Sequence, residues 1–332
     1  MQRGSVPKDF AGHALDATVR ALFRLTWGRA RELVRRGKVT VDGSIVNDPV
    51  ARVRDGAAIV LDLTARRQDP LAKDALVFVD PHVVVVEKPA GVSTVPFDPR
   101  GMGASIGKRA RPGEEIALDE RVRIAVARRG RGQSGASPAL GVVHRLDKET
   151  SGLVVFTRTW AAKKALMQAF RAHTIHRRYF AIVMGAAKGG ILRSNLVPDR
   201  GDGLRGSVEK RHGRQRAVGS ESTQLAVTHV EVVERLPGRA AGQPCTLVSC
   251  RLETGRTHQI RIHLSESGHP VVGDRVYSRD YVRTHGNVLV PAPRLMLHAG
   301  ELGFVHPTTG REMHWTSPLP NDMQEILDVL RR

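Results

Sequence analysis

Apolar and polar positions divide the chain into a short leading unit and a much longer one. Val19, Leu22 and Phe23 fall at helical spacing, and Ala30, Leu33 and Val34 repeat it after a break near 26–28. Two short apolar runs, 38–41 and 45–46, flank Asp42-Gly43-Ser44, and an Asp-Gly pair between such runs predicts a hairpin. A further strand over 57–63 completes two helices on a small sheet. The polar first residues are expected to form a flexible tail. The expected organisation is a tail at 1–14, a small domain at 15–66, a linker at 67–74 and a large domain at 75–332.

In the large domain, 75–79 and 82–87 read as strands, the second carrying four consecutive valines that suit burial on both faces. A loop punctuated by Pro and Gly follows, KPAGVSTVP. Segment 101–137 is rich in Gly and Arg with weak periodicity; 108–131 reads as a basic loop and 127–137 is expected to be solvated and mobile. Strands over 141–143 and 152–157 bracket a polar turn at 144–151. Segment 160–173 places Ala162, Leu166, Ala169 and Phe170 on one helical face. Strands are expected over 179–184, 224–234 and 245–252, with a second basic stretch at 200–216. The C-terminal third reads as short strands and turns closed by a helix over 322–330. The class is α+β, with a large mixed, mainly antiparallel sheet flanked by helices.

Charge adds a partner to this picture. Lys and Arg number 52 against 33 Asp and Glu, a net +19, while charged residues overall stay at an ordinary 26%. Such a sign imbalance points to a polyanion, and nucleic acid is the leading candidate. Arg29, Arg31, Arg35, Arg36 and Lys38 surround the second helix of the small domain and are expected to contact phosphates. Aromatics at 4% exclude a broad base-stacking platform. Cys245 and Cys250 are the two cysteines, which excludes a disulfide scaffold and suits a reducing cytoplasm. No apolar run is long enough for a membrane helix, and no P-loop, dinucleotide fingerprint or nucleophile elbow occurs. Cys245, Cys250, His258 and His263 loosely resemble a zinc quartet, but their spacing departs from that of zinc sites, so no metal is expected.

Two segments carry candidate chemistry. His144-Arg145-Leu146-Asp147-Lys148-Glu149-Thr150-Ser151-Gly152 packs charge between two apolar strands, where a plain hairpin needs only a turn residue or two. Asp147 is surrounded by donors that favour its ionised form, which suits a nucleophile or base. The alternative is a solvated turn. TGRTHQIRIH (254–263) offers Arg256, His258 and Arg261, and an arginine on a regular element is a rigid partner for a carboxylate or phosphate. Its alternative is an edge strand with a charged outer face.

HRLDKETSGL (144–153), RRYFAIVMG (177–185) and ETGRTHQIRIHLSESGHPVVGD (253–274) resemble the signature blocks of the RluA-type pseudouridine synthases. VVVVEKPAGVSTVP, RLMLHAGELGFVHPTTG and SPLP are similar to that family's flanking blocks, in the same order. GRARELVRRGKVTVDGSIV (28–46) resembles the S4 RNA-binding domain, although Thr18-Val19-Arg20 does not reproduce that domain's usual opening. The resemblance implies a uridine-to-pseudouridine isomerase needing neither cofactor nor metal. It implies Asp147 as catalytic carboxylate, Arg261 as its salt-bridge partner and Tyr179 stacked on the target base. Arg145 would hold the flipped nucleotide's place, with His144, Arg256 and His258 also at the RNA. Whether Asp147 attacks C1′ or removes a sugar proton stays open. Arg177 stands where a lysine is common. The expected substrate is large-subunit ribosomal RNA, with transfer RNA as runner-up and a non-catalytic ribosome-assembly protein as the rival from another class. A cytoplasmic monomer is expected.

Overall fold

The computed structural model describes residues 1–46, 48–64, 71–96, 116–129, 140–210, 223–286 and 289–332. Two units emerge, Met1–Lys73 with Pro96–Ser137, and Asp74–Val95 with Pro138–Arg332. The second is therefore built from two segments rather than the uninterrupted 75–332 expected.

In the first unit, α1 (Leu15–Phe23) and α2 (Trp27–Arg35) pack on strands β1 (Gln2–Ser5), β2 (Val39–Val41), β3 (Ser44–Ile45) and β4 (Ala58–Leu61), ordered β1-β4-β2-β3. Asp42 and Gly43 both take positive φ, 49° and 81°, the geometry of a tight two-residue hairpin loop. Thr26 caps α2 by accepting from the Arg29 N–H. Leu15, Val19, Leu33, Val34, Val39, Ile59 and Leu61 form the core. The flexible tail expected at 1–14 is corrected. β1 pairs antiparallel with β4 from Gln2–Leu61 to Ser5–Ala58, and Val6 is buried. The ordering force there is backbone pairing with a strand more than fifty residues away, which leaves no hydrophobic pattern in QRGS.

The basic loop expected at 108–131 is also corrected in part. α3 (Leu118–Arg129) buries Leu118, Val122 and Val126, a stripe at four-residue spacing diluted by arginines. The rest of that segment, positions 65–70 of the linker region and 211–222 of the second basic stretch lie outside the described residues.

The second unit is organised by one large sheet. Its strands are β5 (Leu76–Val79), β6 (Val83–Lys88), β7 (Gly141–Val142), β8 (Ser151–Thr157), β9 (His176–Met184), β10 (Gly190–Val197), β11 (Gly206–Ser207), β12 (Gln224–Leu236), β13 (Cys245–Leu252), β14 (Leu297–Val305) and β15 (Glu312–Thr316). The order is β11-β10-β12-β13-β9-β14-β8-β6-β5, with β15 on β14 and β7 on β8. Among these described pairs only β14–β8 is parallel. Late in sequence yet central in space, β14 joins two half-sheets. At the seam, Gly152 has φ +114°, and a Cβ there would lie 2.3 Å from the Ala299 carbonyl oxygen, so glycine permits the close approach.

β8 is buried throughout and β6 at every residue but Glu87, and Val83, Val85, Leu153 and Val155 meet Ala162 and Leu166 of α4 (Trp160–Arg171). β10 escaped the sequence reading because its Arg193 and Asn195 interrupt an already half-exposed strand. The C-terminal third holds α5 (Gln259–Glu266) and α6 (Arg279–His285) besides the expected closing helix, α7 (Asn321–Arg331). The edge-strand alternative for 254–263 is thereby excluded: QIRIH alternates as a strand would, but Gln259 to Leu264 are buried on every side, and a helix satisfies their backbone internally.

Two buried histidines make the fold acid-sensitive. Burial pushes His263 and His298 down to about 4 each, from 6.5. Both fold as neutral rings, so the unfolded chain binds more protons as pH falls from 6.5 towards about 4. Stability is present above that window and lost through it, by about 1.4 kcal/mol per pH unit for each ring. Chemical denaturation at pH 7 and pH 4.5 is expected to show this loss, and His298→Gln to reduce the slope by about one proton.

Candidate active site

Asp147 lies in the loop between β7 and β8, and the backbone on both its sides is clamped. Thr94 Oγ1 donates to the Leu146 carbonyl at 2.8 Å and accepts from the Leu146 N–H at 3.1 Å. On the other side, the fully buried Lys88 directs Nζ to the carbonyls of Lys148, Pro89 and Val92 at 2.9, 3.0 and 2.7 Å. The Gly91 N–H adds a bond to the Lys148 carbonyl at 2.8 Å. KPAGVST is thus a brace for the Asp147 loop, a role its turn-like composition did not announce.

The Asp147 carboxylate faces Arg261 of α5, whose Nη1 is 3.4 Å from Oδ2. The stronger partner of Arg261 is Asp274: Nε and Nη2 donate to its two oxygens at 2.7 and 3.0 Å. The Asp274 side chain is fully buried and also accepts from the Val276 and Tyr277 N–H groups at 2.9 and 3.0 Å. Burial raises its pKa, but the Arg261 contacts and these N–H groups outweigh that and hold the carboxyl below its usual range. Arg261 therefore bridges two carboxylates: the expected pairing with Asp147 and a second, stronger one with Asp274. Asp274 closes the quoted block at 253–274, yet as one Asp in a turn it gave no separate signal.

His258 takes a left-handed φ of 59° just before α5. Its Nδ1 is 2.9 Å from the Tyr277 hydroxyl, and its Nε2 is 3.9 Å from Asp147. Burial and the Arg261 charge lower its pKa against the opposing pull of Asp147, leaving it uncharged near neutrality. The Tyr277 ring stacks under Arg261, centroid 5.0 Å from Cζ. Tyr179 of β9 is buried; that burial raises its pKa, Arg177 lowers it and Asp147 raises it.

Asp147, Arg261, His258 and Tyr179 share a cavity of about 450 Å³, lined also by Arg145, Arg256, Arg177 and Phe170. Arg145 and Arg256 are exposed at its edge, Arg256 steadied by Nε on the Leu225 carbonyl at 3.1 Å. His144 lines the cavity too. Its Nε2 accepts the Val155 N–H at 3.0 Å, its ring stacks on Phe170 with centroids 4.9 Å apart, and burial pushes its pKa to about 3. It is a neutral, anchored wall.

In the first unit the basic residues divide. Arg31 pairs with the buried Asp16 at 2.9 Å, while Arg29 and Arg36 pair with Glu32. Arg35 is exposed and Lys38 donates to the Leu63 carbonyl. Trp27, not singled out from the sequence, is exposed with the Arg20 and Arg31 guanidiniums 5.5 and 5.9 Å from its ring.

The zinc-like quartet does not assemble. His263 engages both Ser194 and Thr228, and burial pushes the thiols of Cys245 and Cys250 up to about 11 and 12. Among the described residues, His176, Glu301 and His314 bring ligand atoms within 4.8 Å of one another. None lines the cavity, and the Arg178 guanidinium already sits 3.7 Å from Glu301.

Comparison with known proteins agrees with the sequence motifs. Residues 82–266 match the family model for RNA pseudouridylate synthase, and residues 15–59 match the S4 domain. The chain is 33% identical to the ribosomal large subunit pseudouridine synthase D of Pseudomonas aeruginosa, over 98% of this chain and 95% of that one. It is 31% identical to the protein of the same name from Xanthomonas campestris, over 100% and 93%. The solved structure of human RNA pseudouridylate synthase domain containing 4 is similar in fold, with TM-score 0.54, 22% identity, and coverage of 77% of this chain and 93% of that one.

The charge chain predicts a ranking. Asp274→Asn keeps the shape but leaves the buried side of Arg261 against a neutral group, an expected loss of about 3–5 kcal/mol. Asp147→Asn, at the more accessible end, costs far less. Urea denaturation of the two variants checks the order.

Proposed function

The chain belongs to the RNA pseudouridylate synthase family, and from that premise we propose which of its residues act and on which RNA. It is an RNA pseudouridine synthase with an S4 domain. In our reading Asp147 is the catalytic carboxylate, and the observation that carries this is its position in the cavity: 3.4 Å from Arg261 Nη1 and beside the Tyr179 ring.

A uridine inside a helix must be extruded before its glycosidic bond can be reached, at a cost of a few kcal/mol. Exposed Arg145, two residues before the carboxylate, is suited to brace the gap left in the RNA. Tyr179 offers a rigid face for the uracil. The N1–C1′ bond then breaks with its electron pair leaving on the base. Asp147 compensates at the sugar, by bonding to C1′ or by taking a proton from C2′; both routes fit a carboxylate here. The base turns, C5 bonds to C1′ as Asp147 releases C1′ or the proton returns to C2′, C5 loses its proton and N1 gains one, so atoms balance with no redox partner. Arg261, held by Asp274, keeps a positive charge beside Asp147 without needing to reorganise during reaction.

The relatives named large-subunit synthases support large-subunit ribosomal RNA as the substrate. The S4 domain adds phosphate contacts through residues such as Arg35 and Lys38, raising occupancy rather than selecting the uridine. We place the enzyme in the cytoplasm as a monomer. Among the described residues no helix is long and apolar enough to cross a membrane, and both cysteines are free and buried.

Pseudouridine mapping across total RNA, with and without the protein, is expected to lose one or a few large-subunit sites. Loss at transfer RNA positions would redirect the substrate; no lost site with RNA still bound would favour an assembly factor. Purified Asp147→Asn is expected to abolish isomerisation while binding RNA with wild-type affinity or slightly tighter, since it removes a negative charge. Collapse of binding would make Asp147 structural.

A further inference from the structure

The reaction as derived leaves one charge of the cavity unused. Arg177 of β9 is 7% exposed and lines the same cavity as Asp147 and Tyr179. Its Nε has no hydrogen-bond partner, and its Nη2 reaches only the Glu253 carbonyl, at 3.5 Å. Asp147, the carboxylate of the cavity lining, is engaged by Arg261, and among the described residues no carboxylate forms an ion pair with Arg177. Its Cζ lies 5.4 Å from the centre of the Phe170 ring. A Cβ at Gly255 would come within 2.8 Å of Nη1, so glycine at that position leaves space for the guanidinium. Around it stand a neutral His144 and the phenol of Tyr179. A guanidinium does not shed its proton, so this is a buried cation with an unfilled donor and no counter-ion.

Such a group calls for an anion that is present only part of the time. The phosphates of the target nucleotide remain continuous with the RNA, at the cavity edge where Arg145 and Arg256 are exposed. The uracil enters deeper, against Tyr179. It is neutral as uridine and neutral again as pseudouridine. Between the two, after N1–C1′ cleavage, it holds the bond's electron pair as an anion spread over N1, O2 and O4.

We infer that Arg177 is the counter-charge for the detached uracil, donating a hydrogen bond to one of its oxygens while the base is free of the sugar. The inference rests on the assignment of Asp147 and Tyr179 to the reaction. A cation left unpaired in the resting site binds the intermediate more tightly than substrate or product, which is the condition for accelerating the chemical step. The charge returns to the base when C5 bonds to C1′ and the C5 proton leaves, so Arg177 itself gives up no proton.

Single-turnover rates on RNA carrying uridine or 5-fluorouridine at the target test this. Arg177→Met is expected to slow the conversion of bound uridine by about 10²- to 10³-fold, the usual effect of losing one donor to a developing anion. RNA affinity should stay within about twofold. Arg177→Lys, which keeps the charge, should remain within about tenfold of wild type. Fluorine at C5 stabilises the departing anion by itself, so the Met deficit in consumption of the starting nucleotide should shrink on 5-fluorouridine. Thermal melting monitors folding; if the Met variant melts early, Arg177→Gln, which can still donate to the Glu253 carbonyl, replaces it. Weaker RNA binding with an unchanged rate once bound would overturn the inference in favour of a phosphate contact. An equal deficit on both nucleotides in a folded variant would overturn it in favour of packing. A wild-type chain that converts no uridine would overturn the family reading of the site, and this inference with it.

Discussion

The buried guanidinium of Arg261 is the interaction on which the rest of the site depends. Its bidentate grip on Asp274 fixes its plane, and a fixed plane determines where Nη1 points. A cation free to swing would offer Asp147 an average attraction; one locked from behind offers a direction. Asp274 is in turn oriented by two backbone N–H groups after α5, so the chain of charge ends on main chain rather than on another mobile side chain. The Tyr277 ring beneath the guanidinium and the His258 ring beyond it exclude water, which strengthens each of these contacts.

The same logic governs the Asp147 loop, by neutral means. Lys88 satisfies three carbonyls and Thr94 satisfies both polar groups of Leu146, so the residues either side of the carboxylate are held by a second loop. Rigidity is thus supplied from the half-sheet containing β6 and β8, while Arg261 and Tyr179 come from the half-sheet containing β9 and β13. The cavity lies where the two sets converge.

Much of this was legible from residue order, and the failures share a cause. Strongly patterned elements were plain: four buried valines in β6, the stripe of α4, the Asp-Gly hairpin. Asp147, Tyr179 and Arg261 were recognisable because polar residues recur among apolar ones in blocks of known type. What was not legible depends on partners distant in sequence. β1 is ordered by β4, Lys88 in part by the Lys148 carbonyl sixty residues on, and Arg261 by an Asp274 whose own neighbourhood looks like an ordinary turn. QIRIH alternates as a strand would and is a helix, since burial on all sides removes the period that distinguishes the two. α3 was obscured by the arginines among its apolar positions, and nothing in the order of residues announced that Arg31 pairs with a buried Asp16.

The position of β14 also constrains when the enzyme can come into being. The strand that unites the two half-sheets is made after nearly everything it joins. At synthesis rates of about 5–20 residues per second, the roughly 150 residues separating β8 from β14 take on the order of ten to thirty seconds. During that interval β8 and β9 each present an unpaired edge, and the residues destined for the cavity are held on separate halves. A nascent chain can display basic residues to RNA well before it can hold Asp147 and Arg261 in register. Competence is therefore acquired late and all at once, when a single strand slides into the gap.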